Sequence, residues 1–503
     1  MGSSVRASAA IVIVVASSPG FAEEFSLLGS RAMGMGGAGV ALTRGALSTH
    51  WNPAALAPPA TAATQGFFDL AIPASVSFTA TEDSIRELDE VVEVVGELDF
   101  DDLETRMSNG FPLTTQQVQD LLRVAEQVPD LERSDTLLIS DVSVALDFRL
   151  WRFGVSALGT FHGGGRTDVD RRTLALGTGG VDAAIIALGG TPGTPAGIDF
   201  ADELFATGLV TRGQADQIAA YAEQAGVDVG DRGFRDLVVD VLEATDANDG
   251  GSIANLITRN RTGADLRGIF LQEIGIGYSQ PLGELISLPP FDWVSVGATV
   301  KAIRGTTYFN AFRFDELAEF DDALSDIVDD ADEETSIDFG VDVGVLVQPL
   351  DWLSLGVVAK HLNRPTFDFG GTGEYRLDPQ VRAGIGLVDL LPGWTLAADL
   401  DLTRNRTDSL RGFESQVAGA GVEYDIADLE VVFLRAGASK NLADEDESVV
   451  FHAGLGVRVG GVAIDIAGML APEFSAIESG DDPDEIPERA GLGVEISVLV
   501  PID

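Results

Sequence analysis

The sequence contains no cysteine among its 503 residues. This absence excludes disulfides, thiolate catalysis and cysteine-based metal sites. Lysine is almost as scarce, since it occurs only at Lys301, Lys360 and Lys440. The 80 Asp and Glu residues outnumber the 32 Lys and Arg residues, which gives a formal net charge of -48 and a pI near 4.1. Because nucleic-acid phosphates require a basic surface, we expect no nucleic-acid partner.

Long apolar runs are also missing. Beyond the N-terminus no stretch reaches the roughly 18 consecutive apolar residues that a membrane-spanning helix needs. Hydrophobic residues nevertheless make up 45% of the chain, which excludes a disordered acidic protein. Two classes remain, a soluble core or a membrane-facing surface built from strands.

Groups suited to catalysis are few. The four histidines, His50, His162, His361 and His452, show no zinc-type spacing. Acidic runs near 321–334 lack the spacing and central glycine of an EF-hand, so a solvated loop is favoured over loose calcium binding. No Ser/His/Asp grouping stands out. The sequence therefore predicts a protein that is not an enzyme and that uses no metal and no cofactor.

The first 22 residues are typical of an export signal. Arg6 supplies the positive charge, Ala7 to Ala16 form a short apolar stretch, and Ala22 is a small residue suited to cleavage. We therefore expect residues 1–22 to be removed. A retained membrane anchor is the alternative, which the short apolar stretch disfavours.

Apolar and polar residues alternate along much of the chain from about residue 64. In Ser336–Val345, for example, every second residue is apolar, and 489–498 repeats the pattern. A strand separates such residues onto two faces, whereas a helix would scatter them. Fourteen strands follow from this reading: 64–73, 137–149, 152–162, 265–280, 292–305, 335–348, 352–362, 378–388, 394–404, 412–424, 430–440, 448–459, 462–470 and 489–500.

Short and long connections alternate between these strands. This rhythm is typical of bacterial outer-membrane barrels, which join strands by tight turns at one end and long loops at the other. The fold class predicted is all-β, an antiparallel transmembrane barrel of about fourteen strands. Trp293, Trp352, Trp394 and Trp151 recur near the turns, so they are expected at one membrane boundary.

The two faces of the strands differ in chemistry. One is a nearly continuous surface of Val, Leu, Ile and Ala, and the other combines glycine with charge. In a membrane barrel the apolar face contacts lipid and the polar face lines the lumen. The lumen charges expected on this basis are Asp141, Glu273, Lys301, Asp338, Asp342, Lys360, Arg382, Arg458 and Glu495.

Two long insertions interrupt the barrel pattern. Residues 81–130 and 200–245 place apolar residues at helical spacing among acidic ones. Amphipathic helices packed over the barrel mouth, on its extracellular side, are expected there.

The block Ser30–Leu42 is rich in glycine and methionine, and it is followed by Asn52-Pro53-Ala54. Glycine-rich loops bind phosphates, but no Walker motif is present and no buried strand precedes the block. The arrangement resembles the N-terminus of the FadL-like outer-membrane superfamily, which includes hydrophobic transporters, PorV-type secretion proteins and conjugal-transfer TraF-like proteins. The resemblance implies a hatch at 23–60 that plugs a barrel spanning 61–503. The hatch and ligand-gate residues it implies are Met33, Gly34, Met35, Gly36, Gly37, Gly39, Asn52 and Pro53.

Three functions are compatible with such a plugged barrel. The first is a passive channel for hydrophobic or amphipathic small molecules such as fatty acids. The second is a TraF-like or PorV-like platform for an envelope protein partner in conjugation or secretion, and the third, an open porin, is disfavoured by the hatch. An apolar pocket beside Met33, Met35 and Val40 would indicate transport, whereas an outward apolar stripe would indicate a partner. In each case outer-membrane lipid of a Gram-negative bacterium surrounds the protein.

Overall fold

A computed structural model describes most of the chain. The predicted signal at 1–22 and the insertion at 81–130 lie outside the described residues. The ranges described are 25–57, 66–80, 138–168, 191–225, 227–236, 238–239, 263–286, 291–313, 332–369, 373–406, 414–426, 430–444, 447–477 and 484–502.

Twenty strands form in the described residues, and fourteen of them close into a barrel. Each barrel strand is antiparallel to both neighbours, and β20 returns to pair with β1. The barrel strands are β1 Gly66–Ala80, β2 Leu138–Leu150, β3 Phe153–Asp168, β4 Gly263–Pro281, β5 Val294–Arg313, β6 Asp332–Leu350, β7 Leu353–Lys360, β10 Gln380–Leu391, β11 Trp394–Asp401, β14 Val417–Asp425, β15 Val432–Asn441, β16 Val450–Val459, β17 Val462–Leu470 and β20 Arg489–Ile502. All fourteen predicted strands are confirmed, with ends shifted by up to eight residues, as between 305 and Arg313.

The remaining six strands pair as three small hairpins that the sequence pattern did not predict. Five of the six lie within segments read as loops, because strands of two to four residues are too short to show alternation. The sixth, Glu414–Ser415, lies in the stretch predicted as the start of the barrel strand at 412–424, which begins instead at Val417. They are β8 Thr366–Phe369 with β9 Gly373–Arg376, β12 Asn405–Arg406 with β13 Glu414–Ser415, and β18 Phe474–Ile477 with β19 Asp484–Pro487.

The helices of the described residues are short. Two, α1 and α2, precede the barrel, two more lie largely within the predicted insertion at 200–245, and residues 232–236 and 238–239 of that insertion are also helical. Their bounds are α1 Ser30–Gly34, α2 Ser48–Trp51, α3 Pro195–Thr207 and α4 Arg212–Ala225, with 3-10 turns at Pro53–Leu56, Leu282–Glu284 and Phe291–Trp293. None of the described helices is long and apolar enough to cross a membrane.

Side-chain exposure separates the two faces of the barrel wall. On β6, Ile337 is 75% exposed and Phe339 is 56% exposed, whereas Asp342 is 2% exposed. On β20, Leu492 is 67% exposed and Glu495 is 7% exposed. An apolar outer surface around a polar lumen is the inverse of a soluble barrel and fits a bilayer. The assignment of the faces from sequence is therefore confirmed.

Aromatic residues ring the turn end of the barrel. Trp151, Trp293, Trp352 and Trp394 are each at least 36% exposed and lie at or beside a strand start. Trp394 also packs on Tyr424 of the next strand, with 4.7 Å between ring centroids. Indole rings favour the membrane–water boundary because they combine an apolar body with a polar N–H. The four tryptophans therefore lie together at one end of the barrel, and their place at a membrane boundary stays a prediction.

Candidate functional site

The stretch Phe25–Ala57, here called the N-terminal segment, lies inside the barrel. It contacts the lumen face of strands all round the wall, including Asp69 of β1, Ser279 of β4, Asp399 of β11 and Glu495 of β20. A segment that touches opposite sides of a closed barrel must occupy its lumen. The residues implied as hatch residues, from Met33 to Pro53, all belong to it.

The segment turns sharply between α1 and Gly39. Gly36 and Gly37 adopt the left-handed region, with φ of 70° and 79°. Residues with a Cβ rarely take that conformation. Space is also short, because a Cβ on Gly36 would lie 2.5 Å from the carbonyl oxygen of Ala420 on β14. Glycine is therefore required here both for the turn and for close contact with the wall.

Carboxylates of the wall bind backbone amides of the segment. Asp399 accepts hydrogen bonds from the N–H groups of Gly39 and Val40, both at 2.8 Å. Asp69 accepts one from Ala46 at 2.9 Å, and Glu495 accepts one from Ser30 at 3.2 Å. Buried N–H groups need such partners, and bonds to ionised acceptors are the stronger kind. The neighbouring strands β1 and β20, and the more distant β11, thus hold the segment at three points.

Hydroxyl groups of the wall satisfy the carbonyl groups of the segment in the same way. Ser279 donates to the carbonyl oxygen of Ala54 at 2.8 Å, and Ser295 donates to that of Ala57 at 2.8 Å. Ser354 donates to the carbonyl oxygen of Ala41 at 2.9 Å. Small polar residues on the lumen face therefore replace the partners that a regular sheet would supply.

Asn52 and Pro53, two of the hatch residues that the family resemblance implied, start a 3-10 turn. The Asn52 side chain accepts a hydrogen bond from Ala54 N–H at 3.1 Å and donates to the carbonyl oxygens of Val40 and Val345. It thereby caps the 3-10 turn, links two parts of the segment and ties both to β6. Asn52 is fully buried, so each of these bonds matters for the closure.

Aromatic packing stabilises the centre of the segment. Trp51 is fully buried, stacks on Phe25 at 5.1 Å between ring centroids, and donates its indole N–H to Leu28 at 2.7 Å. Phe25 in turn lies beside two cations of the wall, with Lys360 Nζ 3.7 Å and Arg382 Cζ 4.2 Å from its ring centroid. Contacts of this kind are stronger when both groups are shielded from water.

Ion pairs fill the lumen around the segment. Lys301 bridges Glu273 at 3.0 Å and Asp342 at 3.1 Å. Arg382 makes a bidentate pair with Asp401 at 2.6 and 2.9 Å. Each charge is buried, so its partner is needed to offset the loss of water.

A second group of ion pairs anchors α1. Arg31 forms two hydrogen bonds to Glu423 at 2.7 and 3.0 Å, and Arg435 contacts the same carboxylate at 2.6 Å. The neighbouring Glu423 charge raises the pKa of Arg31 above its ordinary value. Arg44 donates to Ala41, Thr43 and Ser354, and burial lowers the pKa of Arg44 to about 10.

His361 is buried and His50 is half-buried, and both lie close to lysine. His50 Nε2 lies 3.3 Å from both Lys360 Nζ and the carbonyl oxygen of Ser26. Burial, and then the positive charge of Lys360, lower the pKa of His50 well below its usual value. Burial, and then the positive charge of Lys301, lower the pKa of His361 well below its usual value. Both imidazoles are therefore neutral at pH 7.

The predicted lumen charges lie in three different surroundings. Glu273, Lys301, Asp342, Lys360, Arg382 and Glu495 are buried beside the segment. Asp141 pairs with His162, and Asp338 accepts a hydrogen bond from Thr366 of β8 at 2.9 Å, so neither of these carboxylates is bonded to the segment. Arg458 lies exposed at the end of β16, over the ring of Phe433.

The described residues form no apolar pocket beside the methionines, the feature that would have indicated transport. Met33, Met35 and Val40 are each at most 1% exposed, and Met33 packs against Gly493 of β20. In the part of the chain that the structure describes, these side chains fill the space against the wall. A groove of about 540 Å³ exists elsewhere, across β10, β11, β14 and β15, and its lining includes the outward-facing Ile385 and Leu396.

Several contact residues were not singled out from sequence. Asp399 lies on the polar face of its strand, but nothing in its neighbours indicated that it binds the segment. Asp69 follows two phenylalanines at the start of β1 and carried no signal at all. Their partners lie hundreds of residues away or in an irregular stretch, where alternation gives no information. Among the described residues, no group of His, Asp and Glu is arranged to hold a metal ion.

Comparison with known proteins gives one family and several solved barrels. The family described as "F plasmid transfer operon, TraF, protein" matches residues 49–401. A search of curated proteins found no match. The P. putida toluene transporter TodX is 10% identical, with 94% of this chain and 98% of that chain covered and a TM-score of 0.41. A Pseudomonas aeruginosa FadL homologue is also 10% identical, with 96% and 100% covered and a TM-score of 0.40. Likenesses of this size do not indicate what this chain binds.

Proposed function

The chain belongs to the TraF family of the F plasmid transfer operon, whose pattern covers more than half of it, and we propose that this member is a passive outer-membrane channel closed by its N-terminal segment. Its cargo is hydrophobic or amphipathic small molecules such as fatty acids. It lies in the outer membrane of a Gram-negative bacterium, where its apolar surface contacts lipid.

The polar character of the contact between segment and wall carries this proposal. Asp69, Asp399 and Glu495 bind backbone amides, and serine hydroxyls bind carbonyl groups. Buried polar pairs add little net stability, because the same groups bond well to water when they separate. A permanent filling would be more stable if it were apolar. A polar contact instead suits a closure that leaves the wall and exposes both surfaces to water.

Apolar residues at the loop end of the lumen favour a hydrophobic cargo. Ile269, Leu271 and Ile303 share the lumen side with Glu273 and Lys301, and each is at most 2% exposed. They provide an apolar surface inside a wall that is otherwise polar. A molecule with an apolar body can bind there once the segment and the loops above it move.

A cysteine pair tests whether the segment must move. Because the chain has no cysteine, a single introduced pair can form only one intramolecular disulfide. A Cβ added at Gly386 of β10 lies 3.8 Å from Cβ of Ala41, which matches the usual spacing in a disulfide. In the Ala41→Cys/Gly386→Cys variant, oxidation should reduce uptake of labelled oleate or toluene by cells to the level of cells lacking the protein. Reduction should restore uptake.

The reduced form of this variant controls for the small shift that Leu42 must make beside Gly386. A second control, Leu455→Cys/Ile466→Cys, joins paired residues of β16 and β17 on the lipid face. Its oxidation should leave uptake unchanged. Unimpaired uptake through the oxidised Ala41–Gly386 variant would exclude a route past the segment.

A partner platform in conjugation or secretion is the second candidate. The tight packing of Met33, Met35 and Val40 favours it, because no preformed pocket adjoins them in the described residues. If the parent protein gives no uptake above background, while its deletion lowers plasmid transfer between mating cells, the platform replaces the channel.

A further inference from the structure

The chain leaves the wall abruptly at the end of β7 and enters the lumen. β7 ends at Lys360, and His361 and Arg364 then adopt the left-handed region with φ of 53° and 57°. Residues with a Cβ adopt that region at a cost. The β8–β9 hairpin, here called the inner hairpin, follows directly.

The inner hairpin packs against the lumen side of β4, β5 and β6. Phe367 and Tyr375 are each 1% exposed and cover the apolar cluster that contains Ile303. Thr307 of β5 donates to the carbonyl oxygen of Asp368 at 3.0 Å. The hairpin therefore closes the loop end of the lumen as the N-terminal segment closes its middle.

The residues at the start of this inward turn contact the N-terminal segment and the wall together. Lys360 Nζ reaches His50 and the Phe25 ring, at 3.3 and 3.7 Å. The next residue, His361, donates its backbone N–H to Asp342 at 2.9 Å. Asp342 is itself held by Lys301 at 3.1 Å. Two consecutive residues thus connect the hairpin, the ion pairs of the lumen and the segment.

We propose that the inner hairpin and the N-terminal segment are coupled through Lys360 and His361, so that displacement of the hairpin releases the segment. Swinging the hairpin outward requires His361 and Arg364 to leave the left-handed region. That rotation moves the backbone on which the Lys360 contact to Phe25 and His50 depends. The coupling gives the closure of the proposed function a trigger on the loop side, and it is measurable without any transport.

Exposure of the segment is measured with a single cysteine at Ser48, which is fully buried. The Ser48→Cys protein, in detergent micelles, is treated with a water-soluble thiol reagent, and the labelling rate reports the open fraction. Phe367→Ala removes the main contact of the hairpin and should raise the rate roughly tenfold, which corresponds to a coupling of about 1.4 kcal/mol. Phe474→Ala, in the separate β18–β19 hairpin where Phe474 is 48% exposed, should leave the rate unchanged.

A second pair of variants keeps the test decisive if Phe367→Ala does not fold. Arg364→Gly and Arg364→Val both remove the ion pair with Asp378, but only glycine accepts the left-handed backbone readily. The valine variant should therefore label roughly tenfold faster than the glycine variant.

The path of the coupling is tested in a Lys360→Met background. If Lys360 carries the coupling, the hairpin variants should lose their effect on the labelling rate there. Equal rates for the two Arg364 variants, or a hairpin effect that persists without Lys360, would overturn the proposal. Loss of oleate uptake bears on the channel alone, so the two proposals can fail separately.

Discussion

Replacing Asp399 should open the lumen more than any other single change in the wall. Its carboxylate accepts two backbone hydrogen bonds, from Gly39 and Val40, both at 2.8 Å and both buried. Asp399→Ala leaves two buried N–H groups without that partner, at about 1–3 kcal/mol each. The closed state should therefore lose about 2–6 kcal/mol, which at 1.4 kcal/mol per tenfold is roughly 30-fold to 10⁴-fold in the open fraction.

The labelling rate of Cys-substituted Ser48 measures this change directly, since the residue is inaccessible while the segment is seated. Asp399→Asn keeps one acceptor oxygen but loses the charge, so its rate should rise only about tenfold. Thr395→Ala, on the same strand and the same buried face, is the matched control and should label at the parental rate. A parental rate for Asp399→Ala would refute the argument, because it would mean that these two bonds do not hold the segment.

Three further outcomes follow from the same contacts and are read by the same labelling assay. Gly36→Ala should raise the labelling rate roughly tenfold or more, because Gly36 has a φ of 70° and an added Cβ would meet the wall. Gly373→Ala should leave the labelling rate unchanged, because Gly373, although its φ is 128°, has open space around it. The pKa of His50 is lowered in the closed state, so the released state binds a proton more readily. The equilibrium constant for closure should therefore be constant above about pH 6.5 and fall below it by up to roughly tenfold per pH unit. Labelling rates of the Ser48→Cys protein, each divided by the rate for the unfolded protein at the same pH, should show this dependence on pH. His50→Gln should reduce the dependence, and a normalised rate that does not change with pH would contradict the lowered pKa of His50. Arg31→Gln should destabilise the closed state by only about 1 kcal/mol or less, because the Arg31 side chain is 39% exposed. A change in labelling rate as large as that of Asp399→Ala would contradict the weak contribution expected of a partly solvated ion pair.

The barrel could be predicted because alternation is a local property. Each strand separates its residues between the outer surface and the lumen, so Ser336–Val345 identifies β6 without knowledge of its neighbours. The wall contacts of the segment could not be predicted in this way. The bond between Asp399 and Gly39 joins residues 360 apart, and its existence depends on how far the segment reaches across the lumen.

The inner hairpin escaped prediction for a different reason. Its strands are four residues long and border glycines, so the sequence read as a loop. The run Ile269–Leu271 is apolar at every position, which hides the fact that Ile269 and Leu271 face the lumen. Local patterns fail where the polar lumen gives way to an apolar patch under a folded loop.

The distribution of the anchors around the wall has a consequence for biogenesis. The segment is synthesised before every barrel strand, yet Ser30 depends on Glu495 in the last strand and Ala46 on Asp69 in the first. None of these acceptors is in place until β1 and β20 have met. The earliest part of the chain therefore seats last, and until then its unpaired amides and its tryptophan must be kept from aggregating.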